Sequence, residues 1–220
     1  MTQRSTPTSP VGSPSPSPAR LATLRAAGIE PLTHSPGVDE DALVARVEAE
    51  RGPLPAAEMV QLLARAKAEA IVGVDVAGAP IDGLILGGDS AFLFGGQIFG
   101  KPHRPEVARE RWLAQRGKSG ELWSGHWLID HRGGQPHGAV GRADMATVSF
   151  ADPDEAEIDA YIASGEPLAV AGAFTIDSLG GPFIRRVEGD PSTVVGLSLS
   201  TLRDLVRELG VSWPSLWNRD

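Results

Sequence analysis

A lone carboxylate, Asp89, follows the apolar run Leu84-Ile85-Leu86 and the pair Gly87-Gly88, and Gly100-Lys101-Pro102 begins eleven residues further on. An acid delivered at the end of a buried strand is held by rigid backbone, and partial removal from water raises its pKa toward use as a general base. A lysine on a nearby turn reaches an anion as a point charge. Together they suit activation of water against a phosphate-bearing substrate. Asp89 can equally be the residue that turns the chain after its two glycines, and local sequence weighs both readings alike.

Other groups extend the pattern. Ser15, Ser17 and Arg20 sit where a loop enters a helix at Pro18. Exposed N–H groups and the positive end of a helix dipole hold anions there, and Arg20 adds a fork of donors. An ordinary helix cap with a surface arginine explains the same residues when they are taken alone. Asp39 and Glu40 lie in an acidic stretch that could ligate a hard divalent cation, since magnesium takes one or two carboxylates plus substrate phosphates. A solvated loop is the simpler account of them. Lys67 reads as a residue on the polar side of a long helix. Gly95, Gly100 and Lys101 satisfy GxxxxGK, but Pro102 replaces the hydroxyl that would hold magnesium and the residues between read as a hairpin, so the match is one of chance. An anion-binding helix start, an acidic stretch, two lysines and a strand-end acid are the parts needed to hydrolyse a magnesium-bound polyphosphate.

Composition excludes several alternatives. The chain has 220 residues, no cysteine and a formal net charge of -8. Disulfides, thiolate metal sites and a cysteine nucleophile are thereby ruled out. The negative charge opposes binding to a nucleic-acid polymer or a membrane surface, and no apolar run approaches the roughly 20 residues of a membrane span. The five histidines (His34, His103, His126, His131 and His137) lack metal-ligand spacing and read as structural. Residues 1–18 contain no apolar core of a secretory signal, so a cytoplasmic location is expected.

The elements that must position these groups follow from periodicity and punctuation. Residues 1–14 form a Pro/Ser-rich tail expected to resist packing, residues 15–212 a single domain, and residues 213–220 a C-terminal tail. Helices are expected over 20–27, 54–72, 105–115, after a cap at Asp152, and over 200–209. The 54–72 helix would turn Met59, Leu62, Leu63, Ala66 and Ala70 inward. Strands are expected over 29–33, 84–87 continuing through 91–94, 97–99, 121–131, 142–150 and 183–187, with a hairpin turn at Gly95-Gly96. Alternating helices and strands, with hairpins among them, indicate an α/β domain with a mixed sheet flanked by helices.

In this order the parts resemble the Maf family, the septum-formation-inhibitor-like nucleoside triphosphate pyrophosphatases, from about Ser15 to Gly210. The matching pieces are Ser15-Pro16-Ser17-Pro18-Ala19-Arg20, Asp39-Glu40, Ala66-Lys67-Ala68, Gly88-Asp89-Ser90 and Gly100-Lys101-Pro102. Thr147-Val148-Ser149-Phe150, Ser164-Gly165-Glu166-Pro167, Ala171-Gly172-Ala173-Phe174 and Val194-Val195-Gly196-Leu197 continue them. The resemblance implies a two-lobed α/β fold similar to inosine triphosphate pyrophosphatases, with the nucleotide in a central cleft. It implies hydrolysis of a nucleoside triphosphate, normal or modified, to the monophosphate and pyrophosphate. The cofactor would be a divalent cation, magnesium or manganese, and a homodimer would be usual.

By the same resemblance Asp89 falls on the proton acceptor, and Ser17, Arg20, Lys67 and Lys101 on positions that hold the triphosphate. Glu40, with Asp89, falls on the metal. The chain departs from the family at Ala19, where a second arginine is common, at Val170 in place of a lysine, and at Asp177 in place of a glutamine. Its opening segment is rich in proline where the family has an apolar strand. The alternative reading is a nucleotide-binding regulator of cell division that keeps the fold without hydrolysis.

Overall fold

A computed structural model describes residues 17–218. The tail expected over residues 1–14, and Ser15 of the predicted anion loop, lie outside the described residues. The chain opens with helices α1 (Pro18–Ala26), α2 (Glu40–Arg51) and α3 (Ala56–Glu69), followed by a two-stranded ribbon of β1 (Asp75–Val76) and β2 (Ala79–Pro80). The main sheet then begins with β3 (Gly83–Phe94) and β4 (Gln97–Phe99), joined by the glycine turn at 95–96. After α4 (Pro105–Gln115) come β5 (Ser119–His131) and β6 (Gly138–Phe150). The chain closes through α5 (Glu155–Ala163), β7 (Ile184–Glu188), α6 (Pro191–Val195) and α7 (Leu199–Glu208).

The five strands lie in the order β4-β3-β5-β6-β7, and every pairing among the described residues is antiparallel. The pattern of elements predicted a mixed sheet flanked by helices; the helix-flanked α/β sheet is found, but its strands are all antiparallel. Its strand directions follow from the hairpin connections of β3 to β4 and of β5 to β6.

Side chains alternate across β3, and the two faces differ. On one face Leu84 and Leu86 join Leu24, Leu128, Leu197, Leu202 and Leu205 in a core under α1 and α7. On the same face, further along, Phe92 joins Trp112, Leu122, Val148, Phe150, Ile158 and Phe174 under α4 and α5. Gly88 and Ser90 separate the two clusters. The opposite face carries Ile85, which packs with Ala68, Ile71 and Ile129 beneath α3. Two apolar cores thus share one set of long strands, with a polar stretch of β3 between them.

Several expectations change. Asp89 stands inside β3, opposite Gly125, and not at a strand end. Gly87 and Gly88 are extended rather than turned; a Cβ on Gly87 would stand 2.0 Å from the Ala64 carbonyl oxygen, so glycine serves the close approach of α3. Helix α3 buries Ala56, Val60, Leu63, Ala64, Lys67 and Ala68, a face rotated away from the predicted one, while Ala70 is exposed. The acidic stretch is the start of a helix: Asp39 caps α2, accepting from the Ala42 N–H at 3.0 Å. Residues 29–33 hold only an isolated bridge at Thr33. The cap of α5 is Asp154, in a capping box with Glu157, and not Asp152.

The expected C-terminal tail is docked. Leu216 is buried, and the Asn218 side chain accepts from the Glu30 N–H at 2.6 Å and donates to the Glu30 carbonyl at 3.1 Å. Among the described residues no helix is long and apolar enough to cross a membrane.

Candidate active site

The closeness of α3 to the sheet creates the site. A Cβ on Gly125 would stand 2.3 Å from the Val60 carbonyl oxygen, just as one on Gly87 would meet Ala64. With glycine at both positions the helix backbone settles onto the strands, and Lys67 is carried down beside Asp89. Its Nζ donates to Asp89 Oδ1 at 2.7 Å and pairs with Glu40 Oε1, from the first turn of α2, at 2.8 Å. The lysine side chain is only 5% exposed and that of Asp89 15%, whereas Glu40 is 46% exposed and faces water. One ammonium therefore bridges two carboxylates at the edge of the protein interior.

Burial pushes the Asp89 carboxyl above its ordinary range. The charges of Lys67 and Arg20 pull it back, and Glu40 adds to the rise. The guanidinium of Arg20 is itself buried, which lowers its pKa against the pull of Asp89 and Glu40, but arginine remains a cation at any working pH.

Arg20 is held from the other side of β3. Its Nε donates to the Gly196 carbonyl at 2.7 Å and its Nη2 to Ser90 Oγ at 2.8 Å. Because arginine only donates, Ser90 accepts there and gives its own proton to Ser124 Oγ at 2.9 Å. Ser124 in turn donates to the Thr193 carbonyl at 3.0 Å, and the Thr193 hydroxyl donates to Asp144 Oδ2 at 2.7 Å. This directed chain fixes the guanidinium beside the residue that follows Asp89. Gly196, at φ +107°, and Gly88 leave room for it, since a Cβ on either would come within 3.4 Å of Arg20 Nε.

Of the predicted residues, Glu40, Lys67 and Asp89 are in direct contact, and Arg20 is bonded to Ser90. Ser17 caps α1, its Oγ accepting from the Arg20 N–H at a long 3.5 Å, so its hydroxyl is only weakly committed. Lys101 is exposed, two residues beyond β4, and makes no hydrogen bond or ion pair with described residues. The pairing of β4 with β3 ends at Phe99 opposite Phe92, so Lys101 lies just past the end of that ladder. The placement of Lys67 on the polar side of α3 is corrected: it is the most buried charged side chain of the cluster. Asp39 does not join the site, because its carboxylate is used as a cap.

Sequence reasoning missed Ser124, Thr193, Asp144 and Gly196. A hydroxyl on a strand and a carbonyl at a helix end carry no spacing signature, and only three-dimensional pairing reveals them. The structural reading of His126 is right. Its Nε2 accepts from the Ser198 N–H at 2.9 Å, so its Nδ1 carries the proton and donates to the Arg142 carbonyl at 3.1 Å. Burial pushes its pKa down to about 4, leaving it neutral.

Among the described residues no three His, Asp or Glu side chains converge as a metal cage. Two hard carboxylates, Glu40 and Asp89, do share one cation, and one of them faces solvent. That donor set fits magnesium or manganese, which complete their shells with phosphate oxygens and water.

A central antiparallel sheet with helices on both faces, holding a charged cluster against the middle of β3, defines an α/β protein built around that cluster. The chain belongs to the Maf family: the family described as Maf-like protein matches residues 14–209. It is 72% identical over 203 residues to the nucleoside triphosphate pyrophosphatase of Leifsonia xyli subsp. xyli (strain CTCB07), a match covering 92% of this chain and 94% of that protein. The nucleoside triphosphate pyrophosphatase of Nocardia farcinica (strain IFM 10152) is 48% identical over 201 residues, covering 91% of this chain and 93% of that one.

Proposed function

We propose that this protein hydrolyses the α–β anhydride of a nucleoside triphosphate, releasing the monophosphate and pyrophosphate. Asp89 is the proton acceptor for the attacking water. The observation that carries this reading is the desolvated Asp89 carboxylate beside the buried Lys67 ammonium, in a chain whose relatives, matched over 91–92% of its length, bear that activity as their name.

An oxygen of the Asp89 carboxylate takes the proton from water. A base raised by burial accepts that proton more readily than an exposed carboxylate, and the adjacent cations favour its charged form. Lys67 and the Nη1 edge of Arg20, which bonds no described residue, offset the charge that grows on the phosphate oxygens as the anhydride opens. Lys101, exposed just past β4, and the Ser17 hydroxyl at the start of α1 add contacts to the outer phosphates. A magnesium or manganese ion held by Glu40 and Asp89 would supply further neutralisation of the triphosphate.

A cytoplasmic homodimer with no nucleic-acid polymer or membrane partner completes the reading, and the net charge of -8 supports the last point. The test is a panel of normal and methylated nucleoside triphosphates with magnesium, read by pyrophosphate release. Monophosphate and pyrophosphate in equal amounts support the proposal. A nucleoside diphosphate and inorganic phosphate would replace it with a different hydrolase.

A further inference from the structure

The place a divalent cation would occupy already holds a positive charge. Lys67 Nζ stands 2.7 Å from Asp89 Oδ1 and 2.8 Å from Glu40 Oε1, on a side chain almost wholly out of solvent. Nothing else on α3 explains a buried lysine, since the rest of that helix face is Ala56, Val60, Leu63, Ala64 and Ala68. A second cation, the buried Arg20, acts on the same two carboxylates. Two acids and two bases leave the cluster formally uncharged. Such a cluster exerts little pull on a lone divalent ion, because Lys67 and Arg20 already offset the charge of both carboxylates and repel a further cation.

A triphosphate changes the balance, because it brings oxygens that can accept the ammonium in place of the carboxylates. We propose that Lys67 is a resident cation that keeps the divalent ion out until nucleotide arrives. The ion then enters as its complex with the triphosphate, Lys67 turns to the phosphate oxygens, and Glu40 and Asp89 are freed to ligate. Metal and nucleotide binding are thereby coupled, each strengthening the other by the same factor. The inference rests on the proposed function and adds to it the form in which substrate is taken: the preformed metal–nucleotide complex.

The test titrates manganese alone into the full-length protein by calorimetry, then repeats the titration with a non-hydrolysable α,β-methylene triphosphate present, corrected for manganese held by the analogue in solution. Wild type should bind manganese at least about tenfold more tightly with the analogue than without it. Lys67→Met, which fills the same space without charge, should bind manganese alone at least about tenfold more tightly than wild type. Glu40→Gln in the Lys67→Met background should remove that gain. Manganese bound to nucleotide-free wild type as tightly as to the analogue complex, or no gain in Lys67→Met, overturns the inference. Should Lys67→Met not fold, the two wild-type titrations decide it. Pyrophosphate release together with tight manganese binding to the free protein would overturn the inference and leave the function standing. An analogue that does not bind and triphosphates that are not cleaved would overturn both.

Discussion

A single buried lysine links the chemistry of this protein to its packing. Lys67 lies where helical periodicity puts alanines, and a helix face made of Ala56, Ala64 and Ala68 admits it because its ammonium finds two carboxylates. The sequence hides this, since one lysine among apolar neighbours looks like the edge of a polar face. Asp89 was legible as a candidate base but its setting was not, because Gly87-Gly88 imitates a turn while serving helix contact. Arg20→Lys is expected to lose both the Gly196 and Ser90 bonds, as an ammonium cannot reproduce the guanidinium fork. The loss should be about 1–3 kcal/mol in a denaturant melt, together with lower activity. An unchanged midpoint would show that Arg20 is not held as described.

At the scale of elements, α3 on the sheet and the α6–α7 corner are the joints that matter. Gly87→Ala places a Cβ 2.0 Å from the Ala64 carbonyl and Gly125→Ala one 2.3 Å from that of Val60. Each should lift α3, cost about 1–3 kcal/mol, and separate Lys67 from Asp89, so activity falls along with thermal stability. Normal activity in either variant would contradict the account of how the site is positioned. The corner is tied to β5 by His126, whose pKa falls from 6.5 to about 4 on folding. Its unfolded form binds the proton first, so stability should fall as pH drops from about 6.5 toward 4 and level off below. The change is at most about 3 kcal/mol, and His126→Gln should flatten that limb of the stability–pH curve. Helices α1, α3, α4, α5 and α7 and the long strands were legible from caps and alternation. Helix α2 was not, because its apolar residues gather on no single face and none is buried, nor was the short α6.

Across the whole molecule, the two cores under α1/α7 and α4/α5 share β3, and the charged cluster lies on the stretch between them. Composition and punctuation conveyed the α/β class, while the docking of residues 213–218 had no signal, since a short Trp- and Pro-containing end reads as a tail. Leu216→Ala should cost about 2–5 kcal/mol, because Leu216 is 2% exposed within the same core as Leu24 and Leu202. An unaltered denaturation midpoint would mean that this end is not part of the core. The central claim is that this arrangement makes Asp89 the base that splits a nucleoside triphosphate. It is tested most directly by measuring magnesium-dependent pyrophosphate release from wild type and Asp89→Asn side by side, with circular dichroism confirming that both are folded. The account predicts monophosphate and pyrophosphate from wild type and at least about a hundredfold loss in the variant. Equal rates from the two proteins, or a folded wild type that cleaves no triphosphate, would contradict it.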